Sequence, residues 1–185
     1  MKKIWPQFHT HARRTTQSVG RGFVEITFGG FPRSSRRGAG RALVLICLRM
    51  LEGVRKIYLC GPIMDADPKA AKDWRTRAKE RLAGRFILLD PLRRNFRDHE
   101  IDSSNEIVEF DLQDVRDADL LLVNYCKPSL GTAMEVFYAS YDLGKFVIAF
   151  SPLGFKDCSP WMVRFCTKIL PDLESALVYI ERHFN

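Results

Sequence analysis

Four short, unbroken apolar runs, each followed by residues at helical spacing or by a turn signal, constrain this chain more than any other feature. They lie at residues 57–60, 86–89, 120–123 and 146–150. A strand wet on one face alternates apolar and polar residues, whereas a strand covered on both faces reads as a continuous apolar run. Between the runs, Pro68 suits a first helical turn, Ala71, Trp74, Ala78 and Leu82 recur at helical spacing, and Gly84 stops the helix. Ser103-x-x-Glu106 is a capping-box signature, followed by Ile107, Phe110, Val115 and Ala118 as a helical apolar face. Gly131-Thr132 opens a helix that runs to about Leu143 and ends at Gly144. Pro171-Asp172 opens the last one, with Leu173, Leu177, Ile180 and Phe184 on one side. Strands alternating with helices predict an α/β domain with a doubly wound parallel sheet. Ligands of such sheets sit beyond the carboxyl ends of the strands, which selects residues 61–67, 90–102 and 124–135 for scrutiny.

The net charge of +7 suggests a nucleic-acid partner until it is divided along the chain. Residues 1–50 hold ten Lys or Arg and one acid, Glu25, for +9; residues 51–185 carry −2. The basicity therefore belongs to the N-terminal segment, and the body has no case for a phosphate-backbone partner. Residues 1–53 are rich in Arg, Ser, Thr and Gly and lack helical periodicity, although Phe23 to Phe28 alternates like a single strand. Three readings fit this extension: an organelle presequence within residues 1–49, a disordered basic arm, or an upstream run preceding an initiator at Met50. The last is preferred, because an ordered domain begins just after Met50. The expected organisation is thus a basic extension, 1–53, and one domain, 54–185. No apolar stretch approaches the roughly 18 residues of a spanning helix, and a cytoplasmic domain is expected. The cysteines 47, 60, 126, 158 and 166 form no C-x-x-C pair, and the histidines are not spaced with them as metal ligands, so a reducing compartment and no metal are expected.

Three features fall in the selected segments. Tyr58-Leu-Cys-Gly61-Pro62 ends the first strand, where Gly61 permits close backbone approach to a ligand or serves as plain punctuation. Asp111 shares an i, i+4 row with Ile107 and Val115, beside the apolar face; it either faces a cavity or is solvated at the stripe's edge. Ser129-Leu-Gly131-Thr132-Ala-Met-Glu135 runs from a strand end through a tight turn into a helix. Thr132 and Glu135 could form a capping box, or the helix start could present N–H groups and its positive end to an anionic ligand.

Taken in order, Tyr58-Leu-Cys-Gly61-Pro62, Asp111-Leu-x5-Ala118-Asp119 and Gly131-Thr132-x-x-Glu135-x3-Ala139 resemble the nucleoside 2-deoxyribosyltransferase family over about residues 56–150. The resemblance implies a compact flavodoxin-like or Rossmann-like sheet of about five strands, a homodimer or larger homo-oligomer with shared sites, and no cofactor. It implies that Glu135 attacks the anomeric carbon of the sugar, that Tyr58 orients it, and that Asp111 handles the base's proton. The residue types suit the chemistry: the base needs a proton as it leaves, and a carboxylate can meet the oxocarbenium-like carbon from the opposite face.

Transferases acting on free nucleosides carry an acid where this chain has Ser129. A serine there resembles the related 2′-deoxynucleoside 5′-monophosphate N-glycosidases, since a carboxylate repels a phosphate and a hydroxyl donates to it. Ser159, in Ser159-Pro-Trp-Met162-Val-Arg164, resembles a second phosphate-contacting serine, and Arg93 and Arg94 could add charge. The loop after the first strand, Ile63-Met64-Asp65-Ala66-Asp67, carries acids where those hydrolases have an arginine. The expected substrate site thus comprises Gly61, Arg93, Ser129, Gly131, Ser159 and Met162 around Glu135, Asp111 and Tyr58. A rival expectation is a nucleotide-binding sensor of the same fold.

Overall fold

The computed structural model describes residues 56–184 except Asp65. Expectations for the N-terminal extension, including the strand at Phe23 to Phe28, lie outside the described residues. Five parallel strands form one sheet: β1 (Lys56–Cys60), β2 (Ile87–Leu89), β3 (Leu120–Asn124), β4 (Phe146–Phe150) and β5 (Lys168–Leu170), in the order β2-β1-β3-β4-β5. Five helices accompany them: α1 (Pro68–Leu82), α2 (Ser104–Asp117), α3 (Leu130–Phe137), α4 (Pro160–Phe165) and α5 (Leu173–His183).

The unbroken apolar runs of β1, β3 and β4 are covered on both faces, as their composition requires, whereas that of β2, at the sheet edge, leaves Ile87 57% exposed. In β1, Ile57 and Leu59 point into one core layer with Trp74, Ala78 and Leu82 of α1 and Ala176, Leu177 and Ile180 of α5. Tyr58 and Cys60 point into the other, with Val115 of α2, Val136 of α3 and Met162 of α4. This two-residue alternation decides where the chemistry can be, because Tyr58 and Cys60 necessarily share the face that α2 and α3 cover.

Four differences from the sequence reading have physical causes. First, β5 and α4 lie within what reads as a loop. β5 has three residues, two of them only half-buried, and α4 has six, too few for a periodic signature. Second, the α3 helix does not continue regularly to Leu143: Tyr138–Asp142 is a π-helical turn, in which the Leu143 N–H reaches the Tyr138 carbonyl at 3.2 Å. Third, Ser103 occupies the N-cap of α2, but its side chain makes no capping bond. Fourth, Arg75 lies on the apolar face of α1 and is 1% exposed. Its guanidinium donates to the carbonyls of Ala71 (2.7 Å), Gly61 (2.9 Å) and Leu59 (3.3 Å) and lies 3.4 Å from Asp90. An arginine is tolerated there because each buried donor direction finds an acceptor. It ties the end of β1 to α1 and to the end of β2.

Candidate active site

Glu135 projects from the second turn of α3 towards the end of β1. The helix begins at Leu130 behind an N-cap at Ser129, so Glu135 lies six residues beyond the cap residue. Its carboxylate is not a cap. Oε1 accepts from the Tyr58 hydroxyl at 2.9 Å and Oε2 from the Cys60 thiol at 2.8 Å. Thr132, the other half of the possible capping box, is 3% exposed, and its carbonyl lies 3.9 Å from Cys60 Sγ. The capping-box alternative is thereby removed.

Asp111 approaches from α2, half-buried. Arg94 holds it at 3.3 Å and is itself bound to Asp114 at 2.5 Å, while its guanidinium lies 4.7 Å from the centre of the Phe110 ring. Asp111 is therefore neither fully solvated nor unpaired, since Arg94 engages it. Burial pushes its pKa up to about 6, against the pull of Arg94, and the Tyr58 hydroxyl near it draws the value back. Burial likewise pushes Glu135 up to about 7, opposed by the Cys60 hydrogen bond and reinforced by the charge of Asp111. Tyr58 and Cys60 are both pushed well above their ordinary values, first by burial and then by Glu135, and remain proton donors at neutral pH. The site therefore holds two carboxyls that both resist ionisation and two fixed donors aimed at one of them. The two carboxyls therefore titrate as a coupled pair, with values of about 6 and about 7.

The remaining expected site residues divide. Ser129 makes no capping bond, so its half-buried hydroxyl is not engaged in holding the helix. Gly131 is exposed, with open space where a Cβ would be. Ser159 caps α4, accepting from the Trp161 N–H at 3.3 Å. Arg93 is tied to Asp114 at 2.5 Å and to the Asp90 carbonyl at 2.9 Å. Met162 is 2% exposed in the core layer under α4, where it fills space beside the sheet and presents no surface to a ligand. Gly61 has a packing reason to be glycine: a Cβ would lie 3.0 Å from Asn124 Cβ and 3.1 Å from Trp74 Cζ2. Sequence reasoning missed Cys60, Arg94's grip on Asp111 and Asp114. Cys60 was within reach, because it lies two residues from Tyr58 and must share its face. Among the described residues no group of three or more His, Cys, Asp or Glu could hold a metal ion, and no helix is long and apolar enough to cross a membrane.

A flavodoxin-like α/β domain with paired carboxyls at the carboxyl edge of its sheet is the class of protein these elements define. Residues 57–157 match the family model for nucleoside 2-deoxyribosyltransferase, and the chain belongs to that family. Its fold is shared with the 2-deoxyribosyltransferase of the psychrotolerant bacterium Bacillus psychrosaccharolyticus, at 22% identity and a TM-score of 0.53 over 66% of this chain and 90% of that one. A conserved protein of Enterococcus faecalis V583 gives 19% identity and the same TM-score of 0.53 over 70% and 98% of the two chains. A Clostridium botulinum CMP N-glycosidase gives 17% identity, a TM-score of 0.48, and 69% and 98% coverage. No curated protein matches the chain.

Proposed function

We propose that this protein cleaves the N-glycosidic bond of a 2′-deoxynucleoside or its 5′-monophosphate through a covalent glutamyl-deoxyribosyl intermediate at Glu135. One observation carries the reading: both oxygens of Glu135 are held by donors from β1, on the inner side of α3, and neither serves the helix's own backbone. A carboxylate fixed in this way has lost the rotamer freedom that would otherwise oppose attack.

In the first step a Glu135 oxygen bonds to C1′ as the C1′–N bond breaks, and the bonding pair leaves with the base. Asp111 gives that nitrogen its proton. In the second step water or another base attacks C1′, its proton returns to Asp111, and the Glu135 ester opens. With values of about 6 and about 7, the pair retains a single proton between those limits. Catalysis needs it on Asp111. A base stacked over Asp111 desolvates that carboxyl further, while positive charge growing at C1′ favours the Glu135 anion, so substrate moves the proton to the productive side.

The 5′-monophosphate is the favoured substrate form because Ser129 keeps its hydroxyl clear of the helix cap, beside the unsatisfied N–H groups that open α3. We further propose that the protein is cytoplasmic, that residues 54–185 carry the activity, and that residues 1–53 are dispensable. The working form in this reading is a homodimer or larger homo-oligomer. Its support is the exposed apolar strip of Leu130, Met134 and Tyr141 with Trp161, which sedimentation would test. The deciding experiment incubates the protein with deoxycytidine, deoxyuridine and their monophosphates, with and without adenine, and separates the products by chromatography. Release of sugar phosphate marks a hydrolase, and base exchange marks a transferase. Unchanged substrate across the panel, or turnover that survives Glu135→Ala, rejects the proposal.

A further inference from the structure

We propose that Cys60 is a positioning residue for Glu135, its thiol donating to the carboxylate oxygen that Tyr58 leaves unbound and so fixing both the rotamer and the charge state of the attacking group. This rests on the functional reading above only for its consequence in turnover.

The geometry is specific. Cys60 is fully buried at the end of β1, and Sγ lies 2.8 Å from Glu135 Oε2 while the Tyr58 hydroxyl lies 2.9 Å from Oε1. The two donors come from alternate residues of one strand, so the rigid spacing of β1 sets the spacing of the carboxylate oxygens they can grip. The charged and titratable groups that act on Glu135 are Tyr58 and Cys60 from β1, Asp111 from α2 and Arg75 from α1. Asp111 opposes ionisation of Glu135; the two β1 donors and Arg75 favour it.

A thiol fits this position better than a hydroxyl for two reasons. Cys60 belongs to an apolar layer with Val123, Val136 and Ala149, where a small weakly polar side chain is tolerated without further partners. Its S–H is also a weak donor, so it steadies the anion without draining the charge that must attack carbon. Burial and the neighbouring Glu135 hold the thiol protonated, which keeps it a donor and prevents it from competing as a nucleophile.

The test uses full-length protein with Cys60→Ala, Cys60→Ser and Glu135→Gln. Two readouts need no turnover: the infrared S–H stretch of Cys60, isolated by difference against Cys60→Ala, and the titration of the Glu135 carboxyl by carbon NMR. At pH 8, above the Glu135 midpoint, the S–H band should lie at low frequency in the wild type and move upward in Glu135→Gln, because a charge-assisted bond is replaced by a weaker neutral one. The Glu135 midpoint should rise by about one unit in Cys60→Ala and fall back towards the wild type in Cys60→Ser. In turnover, Cys60→Ala should lower kcat about tenfold with KM unchanged, and Cys60→Ser should recover most of it. An S–H band indifferent to Glu135→Gln together with an unmoved Glu135 midpoint overturns the proposal. A wild type that turns over no nucleoside or nucleotide overturns the functional reading instead, while the band and the midpoint still decide whether Cys60 holds Glu135.

Discussion

Replacing Glu135 by Gln should abolish turnover and stabilise the protein, and the size of the gain can be worked out. Folding moves the Glu135 pKa from its ordinary 4.5 up to about 7. Because the folded value is the higher one, the native state binds more protons than the unfolded chain between those limits, and stability falls as pH rises through that window. At about 1.4 kcal/mol per unit, the wild type has given up about 3 kcal/mol by pH 8. Glutamine has no proton to lose. It keeps an acceptor for Tyr58 but exchanges the Cys60 contact for a poorer one, a loss of about 1 kcal/mol. The net gain at pH 8 is therefore about 2 kcal/mol, worth roughly 8 °C in Tm for a domain of this size; it should vanish near about pH 5 and reverse below that, where the protonated wild type gives up nothing and only the poorer Cys60 contact remains. Urea titrations of both proteins at pH 5 and pH 8 measure the gap directly. A variant less stable than the wild type at pH 8, or a gap that does not widen with pH, refutes the argument that burial strains this carboxylate.

The same pair of values sets the pH profile of turnover: kcat/KM should be bell-shaped with limbs near 6 and 7, losing the nucleophile below and the proton donor above. A profile flat from pH 5 to 9 contradicts a one-proton pair. Ser129→Asp should raise KM for a 5′-monophosphate at least about tenfold through like-charge repulsion while sparing the free nucleoside; equal effects on both remove Ser129 from the 5′ end. Gly61→Ala should destabilise by about 1–3 kcal/mol in urea melts, because the added carbon meets Asn124 and Trp74 at 3.0 and 3.1 Å. A neutral result there shows that the end of β1 yields more readily than its packing suggests.

The strands buried on both faces were legible because burial on two sides leaves no polar alternation to confuse the pattern. The runs at 120–123 and 146–150 correspond to β3 and β4 within a residue. The edge strand β5 carried no such signal: two of its three residues are half-buried, and its place is set by pairing with β4 rather than by its own composition. Arg75 was hidden for a different reason. Its neighbours Ala71, Trp74 and Ala78 mark an apolar helix face, and only the folded chain reveals that three carbonyls and Asp90 converge on that spot.

Glu135 and Tyr58 were readable as residues of one motif set, but the sequence left open whether Glu135 tied off its own helix. The start of α3 settles that point. With the N-cap at Ser129, a capping glutamate would have to stand at Thr132, three residues on, and Glu135 is a further turn along, on the side facing β1. The site thus follows from two periods meeting: the two-residue repeat of β1 sends Tyr58 and Cys60 to one face, and the 3.6-residue repeat of α3 turns Glu135 towards that face. Moving either register by one residue would separate the donors from the carboxylate. For that reason the brace that Arg75 provides at the end of β1 acts on the site without touching Glu135: it holds the strand from which both donors hang.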